Sequence, residues 1–208
     1  VGMAALLTNP QLAPADARLQ RTVQMMDRQL THMVRLVDDL MDVGRVSSGK
    51  LTLRREPVSL RTVLADSLED THSAIEARGH ELIVDAGADD LQVLGDDDRL
   101  TQVVVNLLTN AAKYTQPGGR IRVTLARDDA QAVLRVEDNG IGIPTDDLDN
   151  VFQLFSQVRL HQGLSEGGLG IGLALVRSLV TLQGGTVQAH SEGTGQGSTF
   201  TVRLPLYP

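Results

Sequence analysis

Four segments rich in glycine and asparagine occur in a fixed order in the second half of the chain, and they constrain the fold more than any other feature. They are residues 106–114 (Asn-Leu-Leu-Thr-Asn-Ala-Ala-Lys-Tyr), 138–142 (Asp-Asn-Gly-Ile-Gly), 168–172 (Gly-Leu-Gly-Ile-Gly) and 193–200 (Gly-Thr-Gly-Gln-Gly-Ser-Thr-Phe). One such segment is weak evidence, because Gly and Asn are common turn residues. Four in order, each on the kind of element that its chemistry needs, predict one shared binding pocket.

Composition narrows the class of protein. The chain has 208 residues, of which 41% are hydrophobic and 22% are charged, as in soluble globular proteins. Only 2% are aromatic, so the core must consist of Leu, Val, Ile and Ala. The lack of Cys excludes disulfides and thiolate metal sites and fits a cytoplasmic location. A net charge of −7 argues against a nucleic-acid partner, and no apolar run reaches the ~20 residues of a membrane segment.

Residues 1–49 are predicted to be helical, with Asp16 as a candidate N-cap. Apolar residues then alternate at spacings of four and three, with Val34 and Met41 widening the stripe, in the series Leu19, Val23, Met26, Leu30, Met33, Val37 and Leu40. This heptad pattern predicts packing against a partner chain; the alternative is a helix packed on its own domain. Because the chain opens at Val1, without Met and inside a predicted helix, we expect it to be a piece of a longer protein.

After Gly49 the pattern changes to short strands alternating with helices. The predicted strands are 51–55, 81–85, 91–94, 120–126, 132–137, 186–190 and 198–204, and the predicted helices are 63–77, 96–114 and 168–182. Two of the strand pairs have hairpin spacing. The sequence therefore predicts a mixed sheet covered by helices, the α+β class.

The predicted helix 96–114 carries an unusual polar face. Asn106, Asn110, Lys113 and Tyr114 fall on one side through i+3 and i+4 spacing, while the other sides are apolar. Asn supplies neutral oxygens that suit Mg²⁺ already carrying phosphate ligands, and Lys suits phosphate as a point charge. The alternative, a solvated helix face, would normally use Glu, Lys and Arg instead of paired Asn.

The glycine segments add the features of a phosphate site. Asp138 follows a predicted strand where Gly140 and Gly142 let the backbone turn and approach a ligand, and a carboxylate there can accept from an exocyclic amine such as that of adenine. Residues 167–172 lead into a helix, whose N-terminus suits phosphate. They lack the Gly-Lys-Ser/Thr ending of a P-loop. Residues 156–166 are polar and have the length of a mobile lid.

At this point the sequence shows a resemblance. Residues 50–208 resemble the catalytic ATP-binding domain of sensor histidine kinases, from the superfamily that includes DNA gyrase, the ninety-kilodalton heat-shock chaperone and the mismatch-repair ATPase. The matching segments are the N box (106–114), the first glycine box (138–142), the F box (152–155), the second glycine box (167–172) and the third (193–200). The implied fold is a two-layer α/β sandwich of the Bergerat type, with a mixed sheet and helices on one face.

The resemblance also implies roles for residues. Asn110 is implied as the Mg²⁺ ligand, Asn106 and Lys113 as phosphate contacts, Tyr114 as a contact of base or ribose, and Asp138 as the acceptor from adenine N6. The remaining implied ATP contacts are Gly140, Gly142, Ile143, Phe155, Gly168, Leu169, Gly170, Ile171, Gly172, Leu173 and Thr199. ATP and Mg²⁺ are thus the implied cofactors.

Residues 1–49 resemble the end of the family's dimerisation and phosphotransfer hairpin, around Leu36–Arg45. That implies a homodimer, a response-regulator receiver domain as partner, and a boundary between domains 1–49 and 50–208. None of the five histidines has the acceptor pattern of His, acidic residue, Arg and Pro, and His32 is expected to be a surface residue. We therefore expect an upstream acceptor histidine and a chain unable to phosphorylate itself.

The sequence also departs from the family pattern just after the F box, where many relatives carry Arg and this chain has Gln157. Our hypothesis is that Arg159 contacts the phosphate instead and acts in catalysis. Two alternatives to kinase function remain: a degenerate nucleotide-binding regulatory module, and an ATPase that clamps a dimer. The second is disfavoured because such ATPases use an early Glu in the N-box helix, and residues 96–114 contain no Glu.

Overall fold

The computed structural model describes residues 17–156 and 169–207 and opens on a long helix, α1 (Ala17–Ser47). The predicted N-cap, Asp16, lies outside the described residues. The helix ends where Gly49 adopts a φ of 64° and the N–H of Lys50 donates to the Arg45 carbonyl at 2.8 Å. The apolar stripe of α1 is between 48% and 60% exposed at Met26, Leu30, Met33, Val34, Val37, Leu40 and Met41. These side chains are therefore left uncovered by the described residues.

Seven strands follow α1 and form two sheets. They are β1 (Glu56–Ser59), β2 (Glu81–Asp85), β3 (Gln92–Gly95), β4 (Arg120–Asp128), β5 (Gln131–Asp138), β6 (Thr186–His190) and β7 (Ser198–Pro205). The five-stranded sheet has the order β2-β4-β5-β7-β6, in which β2 is parallel to β4 and all other pairs are antiparallel. β1 and β3 form a separate antiparallel pair. The mixed sheet and both predicted hairpins are confirmed.

The strand predicted for 51–55 is wrong. Leu51 and Leu53 are half-buried and alternate with exposed residues, which imitates a strand, but the backbone of this segment is irregular. Its polar groups bond elsewhere: the N–H of Arg54 donates to the Asp96 carboxylate at 2.9 Å. The observed strand begins at Glu56. It includes a proline, which an edge strand tolerates.

Three helices cover one face of the large sheet: α2 (Leu60–Glu76), α3 (Asp97–Tyr114) and α4 (Gly172–Leu182). α2 begins three residues earlier than predicted, because the Ser59 hydroxyl accepts from the Thr62 N–H at 3.4 Å. α4 begins later than the predicted start at Gly168. Between β5 and α4 a short 3-10 turn occupies Thr145–Asp147.

The core lies between these helices and the sheet and is aliphatic, as the composition predicts. In β4 the side chains of Ile121 and Val123 are fully buried while Arg120 and Arg122 are exposed, so the inward and outward faces alternate. Further fully buried residues are Leu107, Leu108, Val136, Leu175, Leu179 and Val180. Within residues 17–156 and 169–207, none of the helices is both long and apolar enough to cross a bilayer.

Candidate functional site

Helix α3, which carries the predicted asparagine pair, has well-defined ends. The Asp96 side chain caps its start by accepting from the Arg99 N–H at 3.3 Å. Asp97 and Asp98 occupy the first turn and Lys113 the last turn, where their charges match the helix dipole. The rigid helix therefore fixes the spacing of the polar side chains along it.

Burial divides α3 into the two faces that the sequence predicts. Asn106, Asn110, Lys113 and Tyr114 are half-buried, whereas the apolar positions Leu100, Val103, Val104, Leu107, Leu108 and Ala111 are buried in the core. The Lys113 ammonium lies 4.8 Å from the centre of the Tyr114 ring. A Cβ added to Gly172 would lie 3.2 Å from the Asn106 carboxamide oxygen, so Asn106 faces the beginning of α4. The four predicted side chains thus share one half-buried face of α3, which faces the beginning of α4 at Asn106.

Asp138 ends strand β5 and is only 7% exposed. Its Oδ1 accepts from the Gly140 N–H at 2.8 Å. Burial raises the pKa of Asp138 to about 6, against the lowering effect of backbone hydrogen bonds from Gly140 and Ser198. Gly140 is packed against the Tyr114 carbonyl, which leaves no room for a Cβ. The first glycine box therefore joins the end of α3 to a buried carboxyl group that changes protonation near neutral pH.

The first and third glycine boxes are joined by backbone hydrogen bonds. The Gly195 N–H donates to the Ile141 carbonyl at 2.7 Å, and the Gly197 N–H donates to the Gly140 carbonyl at 3.1 Å. Gly142 has a φ of 69°, and a Cβ there would overlap the Gly193 carbonyl, so only glycine fits. The two boxes form one continuous wall.

Ser191 is a residue of this wall that the sequence interpretation missed. Its buried hydroxyl accepts from the Ile143 N–H at 3.0 Å and donates to the Gly197 carbonyl at 2.6 Å. It therefore fixes the buried Ile143 and holds the two glycine boxes together. A serine directly after β6 and shortly before the glycine-rich turn was the available signal.

The strand register changes one candidate position. Thr199 pairs with Glu137, whereas Ser198 pairs with Asp138. Because directly opposed residues share a face of the sheet and neighbours alternate, Ser198 shares the face of Asp138 and Thr199 does not. The structure thus does not bring Thr199 to the Asp138 side of the sheet.

The F box and the second glycine box meet at the edge of the site. Phe152 is buried edge-on against Phe200, with ring centres 6.2 Å apart, while Phe155 is 64% exposed with a φ of 61°. The Phe155 N–H donates to the Gly170 carbonyl at 3.0 Å. Leu169 is exposed, Ile171 is buried, and Gly172 and Leu173 open helix α4. The predicted residues Gly168 and Arg159, with Gln157 between the boxes, lie outside the described residues.

The donor set bears on which metal fits. No group of three or more His, Cys, Asp and Glu residues that could hold an ion occurs in the described part of the chain. Among those residues the carboxamides of Asn106 and Asn110 also have no hydrogen-bond partner. Neutral oxygens at this position fit a hard cation that brings other ligands with it, as a phosphate-bound Mg²⁺ does.

Comparison with known proteins points in the same direction. Residues 95–208 match the family model described as histidine kinase-, DNA gyrase B- and HSP90-like ATPase. Over 207 residues, 99% of this chain, the sequence is 33% identical to the circadian input-output histidine kinase CikA of Synechococcus elongatus, of which it covers 27%.

Two solved structures are similar. The mycobacterial sensor histidine kinase MprB matches with a TM-score of 0.65 and 33% identity over 74% of this chain and 99% of that one. Full-length ShkA in complex with AMPPNP matches with a TM-score of 0.76 and 26% identity over 92% of this chain and 39% of that one. The chain therefore spans less than half the length of CikA and ShkA.

Proposed function

Because this chain belongs to the histidine kinase-, DNA gyrase B- and HSP90-like ATPase family and carries the ATP-binding catalytic domain of sensor histidine kinases, we propose that it transfers the γ-phosphoryl group of ATP to a histidine. The observation that carries this proposal is the half-buried face of α3. The carboxamides of Asn106 and Asn110 there have no hydrogen-bond partner among the described residues. Two half-buried carboxamides that no protein group engages present neutral oxygens to a ligand, and such oxygens suit a phosphate-bound Mg²⁺.

The proposed roles follow the order of residues along the cleft. Asn110 binds Mg²⁺, Asn106 lies beside the phosphates, and Lys113 contacts a phosphate as a point charge. Tyr114 packs against the base or ribose, and Asp138 accepts from the adenine amine. The raised pKa of Asp138 supports the last role, because burial without an ion pair is expected of a carboxyl group that recognises a neutral ligand.

The remaining proposed contacts surround this line. Gly140, Gly142 and Ile143 form the adenine wall, with Ser198 taking the place first assigned to Thr199. Residues 168–173 form the phosphate side of the lid, next to Phe155. Arg159 is proposed to contact the γ-phosphate. If Arg159→Ala left both nucleotide affinity and phosphotransfer unchanged, this part of the proposal would be wrong.

In the proposed reaction the bond between the γ-phosphorus and the bridging oxygen breaks while a bond to an imidazole nitrogen forms, and ADP leaves with that oxygen. Mg²⁺, when bound, would neutralise charge on the phosphates. Catalysis by the protein itself is then mainly a matter of positioning, which Asn106 and Lys113 provide from one rigid helix.

The wider proposals concern the parent protein. No histidine of this sequence has the acceptor pattern, so we propose that the chain does not phosphorylate itself and that the phosphoryl group passes from an acceptor elsewhere to a response-regulator aspartate. The exposed stripe of α1 supports a homodimer formed by residues 1–49, with the catalytic domain in 50–208. A cytoplasmic location is part of this proposal, since ATP is the substrate.

Two experiments test the function. Calorimetric titration with ADP and with a non-hydrolysable ATP analogue, with and without Mg²⁺, should give saturable binding that Mg²⁺ strengthens and Asp138→Asn abolishes. Asp128→Asn, at an exposed carboxylate, is the matched control. Phosphotransfer to a separately supplied histidine-bearing helical hairpin then tests the reaction. No binding by the intact chain would favour the degenerate regulatory module instead.

A further inference from the structure

The last turns of α1 bury two carboxylates against the start of α3. Asp39 and Asp42 are 8% and 5% exposed, although Asp38, Leu40 and Met41 beside them are exposed. A carboxylate is rarely buried unless it is paired. The burial therefore marks a specific contact between α1 and the ATP-binding domain.

Two residues of α3 are partners of these carboxylates, and Asp42 also forms an ion pair with Arg45 of α1 at 3.8 Å. The Arg99 guanidinium forms an ion pair with Asp42 and donates to the Gln102 side-chain oxygen at 2.8 Å. The Gln102 amide donates to Asp42 at 3.2 Å and to Asp39 at 3.3 Å. We call these four residues, Asp39, Asp42, Arg99 and Gln102, the α1–α3 clasp.

The segment between α1 and β1 reinforces the same junction. The Arg54 guanidinium pairs with Asp98, and the Arg55 guanidinium donates to the Leu182 carbonyl at the end of α4 at 2.6 Å. Arg54 and Asp98 are exposed, and exposed pairs contribute little. The buried clasp is therefore the contact with the geometry to fix an orientation.

The clasp lies on the same stripe of α3 as the nucleotide-facing side chains. Arg99, Gln102, Asn106, Asn110 and Lys113 follow one another at spacings of three, four, four and three. One helix thus contacts α1 with its first half and carries the predicted nucleotide-binding side chains in its second half.

From this arrangement we propose that the α1–α3 clasp is the joint that sets the orientation of the ATP-binding domain relative to α1, with Asp42 and Arg99 as positioning residues. The inference rests on the proposed function, since orientation matters to a domain that must deliver phosphate to a helix-borne histidine. Releasing the clasp frees the domain to move and leaves the nucleotide pocket intact.

Distance measurements between spin labels test this in the whole chain. The sequence has no Cys, so Asp27→Cys, at an exposed position of α1 outside the apolar stripe, and Asp70→Cys, at an exposed position of α2, give one defined pair of label sites. The labelled chain is diluted with excess unlabelled chain to remove distances between copies. We expect a narrow distance distribution for the parent, a broad one for Asp42→Arg and for Arg99→Asp, and recovery of the narrow one in the double reversal. Asp38→Arg, at an exposed carboxylate of the same helix, should stay narrow.

ADP titration of each variant separates this proposal from the proposed function. Affinity within about twofold of the parent is expected for every clasp variant and also shows that the domain is folded. A single reversal that keeps the narrow distribution, or a double reversal that does not restore it, overturns the joint. Absence of ADP binding by the parent defeats the proposed function without affecting the distances.

Discussion

The two halves of the polar stripe on α3 differ in how their side chains are satisfied. In the first half, Arg99 and Gln102 are hydrogen-bonded to buried carboxylates of α1. In the second half, within the described chain, the carboxamides of Asn106 and Asn110 have no partner. One helix therefore carries polar side chains that are hydrogen-bonded within the protein and, two turns later, polar side chains that have no partner among the described residues.

This difference separates stability from ligand binding along a single helix. When a hydrogen-bonded side chain is removed, its buried partner is left unpaired, which costs free energy. Changes in the first half should therefore lower the free energy of unfolding. Removing an unsatisfied side chain leaves nothing behind, so changes in the second half should affect nucleotide handling while stability is kept. Four predictions test where the division falls.

The largest effect is expected for Asn110→Ala. Loss of the proposed Mg²⁺ ligand should lower phosphotransfer to a supplied histidine hairpin on the order of 100-fold, since metal clamping of a phosphoryl group contributes several kcal/mol. Stability should not fall, because Ala has about 0.5 kcal/mol better helix propensity than Asn. Phosphotransfer at several Mg²⁺ concentrations and thermal melting of the same sample measure both.

Asn150→Ala is the matched control, because Asn150 is exposed and its oxygen accepts from Gln153 outside the cleft. It should leave phosphotransfer unchanged. If Asn110→Ala lowered the melting temperature so far that loss of folded protein explained the loss of activity, Asn110 would be a structural residue. The contrast between the two halves of the helix would then be lost.

The second prediction uses the pKa of Asp138, which burial raises to about 6. The proposed acceptor must be deprotonated to receive the adenine amine. ADP affinity should therefore be constant above pH 7 and fall as the pH drops through 6, by about tenfold at pH 5, where roughly one site in ten remains ionised. Calorimetric titration across this range with ADP and with adenosine, which has no phosphate to protonate, separates the titration of Asp138 from that of the nucleotide. An adenosine affinity that did not fall between pH 7 and pH 5 would remove Asp138 from adenine recognition.

A smaller effect is expected for Lys113→Met, which keeps most of the length of the side chain and removes its charge. Loss of one partly solvated phosphate contact should weaken ADP binding by about 1 kcal/mol, roughly fivefold. The difference from the parent should shrink as salt increases, because screening weakens such contacts. The other lysine, Lys50, is exposed in the connector after α1, so Lys50→Met serves as the control. A salt-independent loss would instead point to altered packing against Tyr114.

The fold was largely predictable because its elements follow hydrophobic periodicity. Strands β2 and β6 and the end of α3 lie at the predicted positions, and Gly79 and Gly49 follow helix ends as expected. The failure at 51–55 has a physical reason. Leu51 and Leu53 alternate like strand residues, but the segment is fixed by contacts with α3 and α4, which sequence spacing does not reveal.

The site was predictable to the extent that its residues belong to contiguous motifs. Asn106 and Asn110 share a face because helical spacing requires it. The choice between Ser198 and Thr199 depended on the strand register, which the motif does not contain. The observed register pairs Ser198 with Asp138, on the face of the buried Phe200, and leaves Thr199 on the other face. Ser191 and the clasp were missed because their partners are 48 and 57 residues away along the chain.

The smallest effect on nucleotide binding is expected at the boundary between the two halves, at Gln102, one turn before Asn106. Gln102→Ala removes hydrogen bonds to Asp39, Asp42 and Arg99 but leaves Asp42 paired with Arg99. Urea unfolding should therefore show a loss of roughly 2 kcal/mol, because a hydrogen bond to a charged group contributes about 1.5–3 kcal/mol and bonds within one cluster are not additive.

ADP affinity of this variant should stay within about twofold of the parent, because the side chain of Gln102 is hydrogen-bonded to other residues of the protein and does not contact the proposed ligand. Thr101→Ala controls for the loss of a half-buried polar side chain from a neighbouring position of α3 that lies off the stripe. If Gln102→Ala weakened ADP binding as much as Asn106→Ala, the ligand-binding half would begin one turn earlier. The clasp and the pocket would then share a residue, so that docking of α1 and binding of nucleotide would have to be coupled through it.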